Sequence, residues 1–289
     1  MSSNHDFVEE SDSSFDLEKK PNKHHLIFLL HGYMSTADDL DKVSSVIWER
    51  WPTAEIVALE SIEDINDQGV MELGEIVAKE WIRHIRYQKD MNRLEKISFL
   101  GFSFGGIILR AVFDKLAEYK EYFHSYITFA SPHFGWIYSE SRLFSIGIWA
   151  VSTFSKNPIL SQLRLSDAID YKETAFYKLS EMQGLNWFSN ILVWGSYQDN
   201  YAPLESSLMQ YSERIKNTKN FVKIQAMSEN VHEKMNDVNV YKTCVNYKIS
   251  EKSMDTYIGR KAHIQYLENT DMIKTVVYKY SDIFIPLKN

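Results

Sequence analysis

The stretch "EKISFLGFSFGGIILRAVF", residues 95–113, constrains the fold of this chain more than any other. An apolar, strand-like run meets a glycine-bracketed serine and passes at once into an apolar, helix-like run. The chain has eleven glycines in 289 residues, and Gly101, Gly105 and Gly106 surround Ser103. A strand that turns directly into a helix must reverse within about two residues. The residue at the turn is held in a strained backbone conformation, and its side chain projects over the sheet edge. Side chains two positions to either side would strike the neighbouring strand and helix, and glycine removes that collision. The spacing therefore predicts a sharp strand–turn–helix that presents the Ser103 hydroxyl.

The rest of the chain supplies the sheet that such a turn needs. Short apolar runs at 25–30, 54–59, 96–101, 125–130 and 190–195 read as strands, and 221–227 reads as a weaker one. They are continuous rather than alternating, as strands covered on both faces are. Helix-like stretches at 38–51, 71–88 and 105–123 lie between them. Ser35 and Thr36 precede the first as caps. Strands alternating with helices imply a mostly parallel sheet with right-handed crossovers. The rhythm breaks after "TFASPHFGW", and an aromatic-rich stretch at about 134–188 reads as a cap-like insertion. The stretch 205–258 is polar and less regular. Residues 263–284 read as a loop and then a closing helix capped near Thr270. Residues 1–22 are acidic and serine-rich and read as a mobile tail, leaving 23–289 as one α/β domain.

Ser103 needs a base to activate it and an acid to orient that base. In an elbow of this kind the chain order is Ser, then Asp or Glu, then His. Asp199 follows the strand-like "NILVWG" in a loop closed by Pro203 and is the expected acid; Glu205, further from the strand end, is expected to be solvated. Two histidines follow Asp199. His263 is expected in a loop before the last helix and is the expected base. His232, in the polar "SENVHEKMND", is the alternative, with His133 behind it. An oxyanion needs two N–H donors. Phe104, after the nucleophile, supplies one, and the loop after the first strand supplies the other, with Tyr33 chosen and Met34 next. His31, Met34, His133, Phe134 and Trp149 are expected to line the substrate pocket. The insertion's aromatics, Trp149 among them, read either as buried core or as the lining of an acyl-chain pocket.

Composition narrows the partners. The net charge of -7 argues against nucleic acid, which demands a basic face. One cysteine, Cys244, permits no internal disulfide and fits a reducing compartment. The N-terminal stretch lacks an apolar core of a secretory signal. The longest apolar stretch, 143–154, is too short to span a bilayer. A cytoplasmic protein is expected, with any membrane-surface contact transient and peripheral. No metal or cofactor is expected: no Cys/His pair has ligand spacing, and neither a Walker loop nor a G-x-G-x-x-G turn follows a strand.

The stretches "HLIFLLHGYMSTADDL", "KISFLGFSFGGIILRAV", "ITFASPHFGW", "FYKLSEMQGLNWFSNILVWGSYQDNYAPLESS" and "IGRKAHIQYLEN" resemble the serine esterases of the lipase-like α/β-hydrolase superfamily, a group long labelled a domain of unknown function. The resemblance covers roughly residues 25–284. It implies the α/β-hydrolase fold and places the family's nucleophile, acid and base on Ser103, Asp199 and His263. Phe102 departs from it, since many relatives carry histidine there, and Phe104 stands where leucine or methionine is usual. The implied activity is hydrolysis of a carboxylic ester; the resemblance supplies no substrate, and acyl lipids are expected from the aromatic load of the insertion alone. An acyltransferase or thioesterase would use the same groups, and a non-catalytic binding module would use the same fold.

Overall fold

The computed structural model describes residues 24–63, 65, 67–136, 158–218, 220–248 and 255–281. The proposed tail and the whole of the segment 137–157, with Trp149, lie outside the described residues. Among the described residues, six strands and nine α-helices follow in chain order: β1 (His24–Leu30), α1 (Asp41–Arg50), β2 (Glu55–Ala58), α2 (Val70–Asp90), β3 (Leu94–Phe102), α3 (Phe104–Lys115), β4 (Phe123–Phe129), α4 (Pro158–Leu163), α5 (Ala175–Glu181), β5 (Asn190–Gly195), α6 (Leu204–Ser207), α7 (Phe221–Lys234), β6 (Asn239–Cys244), α8 (Asp255–Glu268) and α9 (Thr270–Lys279). The strands form one sheet in the order β2-β1-β3-β4-β5-β6, and every neighbouring pair is parallel.

Continuous apolar strands are explained by what covers them. Successive side chains of a strand point to opposite faces. Leu26, Phe28 and Leu30 of β1 join Ile97 and Phe99 of β3 against α2 and α3. Their alternates Ile27, Leu29 and Leu100 face α1, α8 and α9. Both sets are buried. Trp81 of α2 stacks on Phe28 at 4.3 Å between ring centroids and seals the first layer. The chain leaves β1 for β2 on one side and returns across β1 to β3 on the other. The connections leaving the C-terminal ends of β1 and β3 therefore run to opposite sides, and such a switch point is where doubly wound sheets bind ligands.

Three expectations are corrected. Residues 221–227 belong to helix α7, not to a strand; Ile224, Met227, Ser228 and Val231 are its buried residues, spaced three and four apart as one helix face requires. The sixth strand is β6, in the stretch read as irregular; it is an edge strand, and its side chains are mostly part-exposed. His263 lies on helix α8 rather than in a loop. The closing helix α9 is capped by Asn269, whose side chain accepts from the Met272 N–H at 3.0 Å.

The described part of the insertion is largely core. Phe134, Phe176, Leu185 and Phe188 are buried in the layer that holds α2 and α3.

Candidate active site

Ser103 joins β3 to α3 with φ 52 and ψ -125, a conformation that side chains other than glycine rarely adopt. Such a residue costs on the order of 1–3 kcal/mol unless its surroundings hold it. Here they do: its N–H donates to the Phe129 carbonyl at 2.8 Å. The glycines permit the turn. A Cβ on Gly101 would lie 2.5 Å from the Gly106 Cα, and one on Gly105 would collide with the carbonyl oxygens of Leu30 and His31. Strand β3, helix α3 and the end of β1 thus meet at backbone distance.

Ser103, His263 and Asp199 come together from three separate elements. His263 Nε2 lies 2.9 Å from Ser103 Oγ, and its Nδ1 lies 2.7 Å from Asp199 Oδ2. A carboxylate only accepts, so Nδ1 carries the hydrogen and Nε2 faces the serine hydroxyl as an acceptor. Asp199 Oδ1 accepts from the N–H groups of Tyr201 at 2.8 Å and Ala202 at 3.0 Å. Its side chain is 0% exposed, that of His263 11%. The imidazole is flanked by the rings of Phe102, at 5.0 Å, and Tyr201, at 5.3 Å. Phe102 serves as a wall for the imidazole.

The serine opens onto a cleft of about 430 Å³. Helix α8 forms one side of it through Arg260, His263, Ile264, Leu267 and Glu268, the spacing of a single helix face. Ile159, Leu160 and Leu163 of α4 line it together with Trp136. Tyr33, Met34 and Phe104 line it near the serine. Phe104 is the first residue of α3, so its N–H has no acceptor within that helix.

A family model described as "Putative serine esterase (DUF676)" matches residues 20–214. The chain belongs to this serine esterase family. Its fold is shared with α/β hydrolases among solved structures. Acylaminoacyl peptidase from Pyrococcus horikoshii superposes with a TM-score of 0.53 at 14% identity, over 94% of this chain and 39% of that one. The chain thus spans well under half of the peptidase's length. The lin2722 gene product of Listeria innocua superposes with a TM-score of 0.52 at 10% identity, over 92% and 96% of the two chains.

Several pocket expectations for this esterase-family chain are corrected. His31 is buried beneath the cleft rather than lining it, and its Nδ1 lies 2.9 Å from the Gly32 carbonyl, tethering the loop after β1. His133 is fully buried, with Nε2 3.2 Å from Thr128 Oγ1; burial, with Arg110 nearby, holds it well below the ordinary histidine range and hence neutral. Phe134 faces the core, and its N–H donates to Ser206 Oγ at 2.9 Å. Glu205, expected in solvent, is buried. His232 is engaged elsewhere, with Ser228 Oγ at 3.1 Å and Lys242 Nζ at 3.3 Å. Met34 does line the cleft. The sequence reading missed Tyr201, Arg260 and the α4 residues. The α8 set was recoverable from its three-and-four spacing, had 255–268 been read as helix.

Proposed function

We propose that this protein cleaves carboxylic esters through an acyl-enzyme formed on Ser103. The observation that carries the reading is the hydrogen-bonded series Asp199–His263–Ser103, with 2.7 and 2.9 Å between the groups. Ser103 Oγ attacks the ester carbonyl carbon while His263 Nε2 takes the hydroxyl proton. The negative oxygen of the tetrahedral intermediate is held by the N–H groups of Tyr33 and Phe104. Collapse breaks the ester C–O bond, and the departing alkoxide takes the proton from His263. Water then repeats the sequence on the acyl-serine, releasing the acid and the free enzyme. Asp199 holds Nδ1 and so fixes which nitrogen faces the serine.

The cleft favours an acyl substrate. Its volume falls within the ordinary range for small-molecule pockets. Ile159, Leu163, Ile264 and Leu267 offer an apolar wall beside the serine. A thiol ester as substrate, or an alcohol in place of water as acceptor, would use the same groups. Among the described residues no helix is long and apolar enough to cross a membrane. We therefore place any contact with lipid at the surface, and we read the single cysteine in favour of the cytoplasm.

Labelling with a fluorophosphonate probe tests the reading. The wild type is expected to be labelled on Ser103, and Ser103→Ala to resist labelling. A wild-type protein that is folded yet inert to the probe and to p-nitrophenyl esters would overturn it.

A further inference from the structure

We propose that Trp136 is a positioning residue for the acid of this site, acting through the Tyr201–Ala202 peptide group. The proposal rests on the ester-hydrolase reading above. The Trp136 indole N–H donates to the Tyr201 carbonyl oxygen at 2.9 Å. That carbonyl belongs to the same planar peptide unit as the Ala202 N–H, which donates to Asp199 Oδ1 at 3.0 Å. The C=O and N–H of a trans peptide point in opposite directions from one rigid plate. Pinning the carbonyl with the indole therefore aims the N–H at the carboxylate. A hydrogen bond accepted at the carbonyl also polarises the N–H and strengthens its donation. The next peptide back supplies a second donor, Tyr201 N–H at 2.8 Å, and the Tyr201 ring flanks the base. Asp199 is excluded from water, so these protein donors set its orientation.

The indole is itself held in place. The backbone N–H of Trp136 donates to the Leu163 carbonyl at 2.7 Å. Ser206 Oγ accepts from the Phe134 N–H and donates to the Gly135 carbonyl, both at 2.9 Å. Gly135, at φ 71, makes the turn that brings the indole round, and a Cβ there would collide with the Leu163 carbonyl. The indole ring meanwhile forms part of the cleft wall at 9% exposure. One side chain thus touches the cleft with its ring and the acid's loop with its nitrogen.

Trp136→Phe tests this, because it keeps an aromatic wall and deletes the donor. Active sites are titrated with the fluorophosphonate probe, and kcat is referred to titrated sites. A purely structural role would reduce the number of sites or the melting temperature and leave kcat per site alone. The expected result is a fall of about tenfold in kcat per site on both p-nitrophenyl acetate and octanoate, with KM within about twofold. A kcat per site within twofold of wild type, or a loss confined to KM, would overturn the proposal. Should Trp136→Phe yield no titratable protein, Ser206→Ala carries the test. It releases the loop that places the indole without touching Asp199 or the cleft, and kcat per site must fall several-fold; an unchanged value overturns the proposal. A failure of the ester-hydrolase reading would look different, since the wild type itself would not be labelled.

Discussion

Two histidine–serine pairs of nearly equal length lie along β3 and have opposite fates. His263 Nε2 and Ser103 Oγ are 2.9 Å apart at the C-terminal end of β3; His25 Nε2 and Ser98 Oγ are 2.8 Å apart between β1 and β3, within the sheet. Three things separate them. The first pair has a carboxylate behind the imidazole, and the second has the ring of His124 at 5.5 Å. Ser103 stands at a left-handed turn that lifts its hydroxyl into a cleft, whereas Ser98 lies within a strand, is fully buried, and also accepts the Ser125 N–H at 3.2 Å. Finally, burial, with help from His124 and Lys96, pushes His25 down to about 3, so it stays neutral and has no tendency to take a proton. A serine beside a histidine is common polar packing; the acid, the turn and the opening make it a reactive pair.

The comparison breaks most readily at the serines. Ser103→Ala should lower ester turnover by about 10³-fold or more with the fold intact. Ser98→Ala should leave turnover within about twofold and lower stability by about 1 kcal/mol, the worth of a typical buried hydrogen bond. His263→Ala should cost nearly as much as Ser103→Ala, and the double variant little more, because groups that act as a unit are lost together. His232→Ala should be close to neutral. Turnover on p-nitrophenyl butyrate and urea denaturation measure both sides. Wild-type turnover by Ser103→Ala would remove the distinction between the pairs.

How far the sequence foretold this contrast follows from what each residue's neighbours in the chain reveal. The elbow was legible because its constraint is local: three glycines, a strand and a helix lie together in residues 94–115. Strands β1, β3, β4 and β5 were legible because burial on both faces leaves unbroken apolar runs; β2, at the sheet edge with part-buried side chains, kept an apolar run all the same. Asp199 was legible as the polar residue beyond such a strand. The cleft was not, because residues far apart in the chain build it. His133 and Phe134 adjoin a strand end, yet Gly135 turns the chain so that they point into the core while Trp136 reaches the cleft. The apolar start of α7 imitates a strand until the spacing of Ile224, Met227 and Val231 is followed to its end. Strand β6 carries part-exposed side chains at the sheet edge, so its pattern lacks the apolar continuity that betrayed the others.

A smaller effect separates the open end of the sheet from the closed one. Only the Ser103 pair faces an apolar wall, so substrate length should matter there. Each methylene buried contributes up to about 0.8 kcal/mol. From acetyl to octanoyl esters, kcat/KM should therefore rise at least about tenfold, measured below micelle-forming concentrations. A preparation faster on acetyl than on octanoyl esters would sink the acyl-lipid reading. It would leave a short-chain esterase and the relation among Ser103, His263 and Asp199 untouched.

The closed pair should announce itself through acid sensitivity of the fold rather than of the chemistry. His25 is held at about 3 in the folded protein, against an ordinary value of 6.5 in the unfolded chain. The unfolded state then binds the extra proton first, so stability from this group is complete above pH 6.5 and is lost as pH falls from there toward 3. By pH 5 the loss from His25 is about 2 kcal/mol. His133, depressed by its own burial, adds to the slope with the same sign, so the wild-type curve alone does not isolate His25. The difference between wild type and His25→Gln does. The variant starts less stable at pH 7, since the bond to Ser98 is altered, and its urea midpoint should then fall less steeply between pH 7 and 5. Curves that run parallel over that window would show that His25 does not resist protonation. The contrast between a buried histidine kept neutral by its surroundings and one kept reactive by a carboxylate would then rest on the Ser103 side alone.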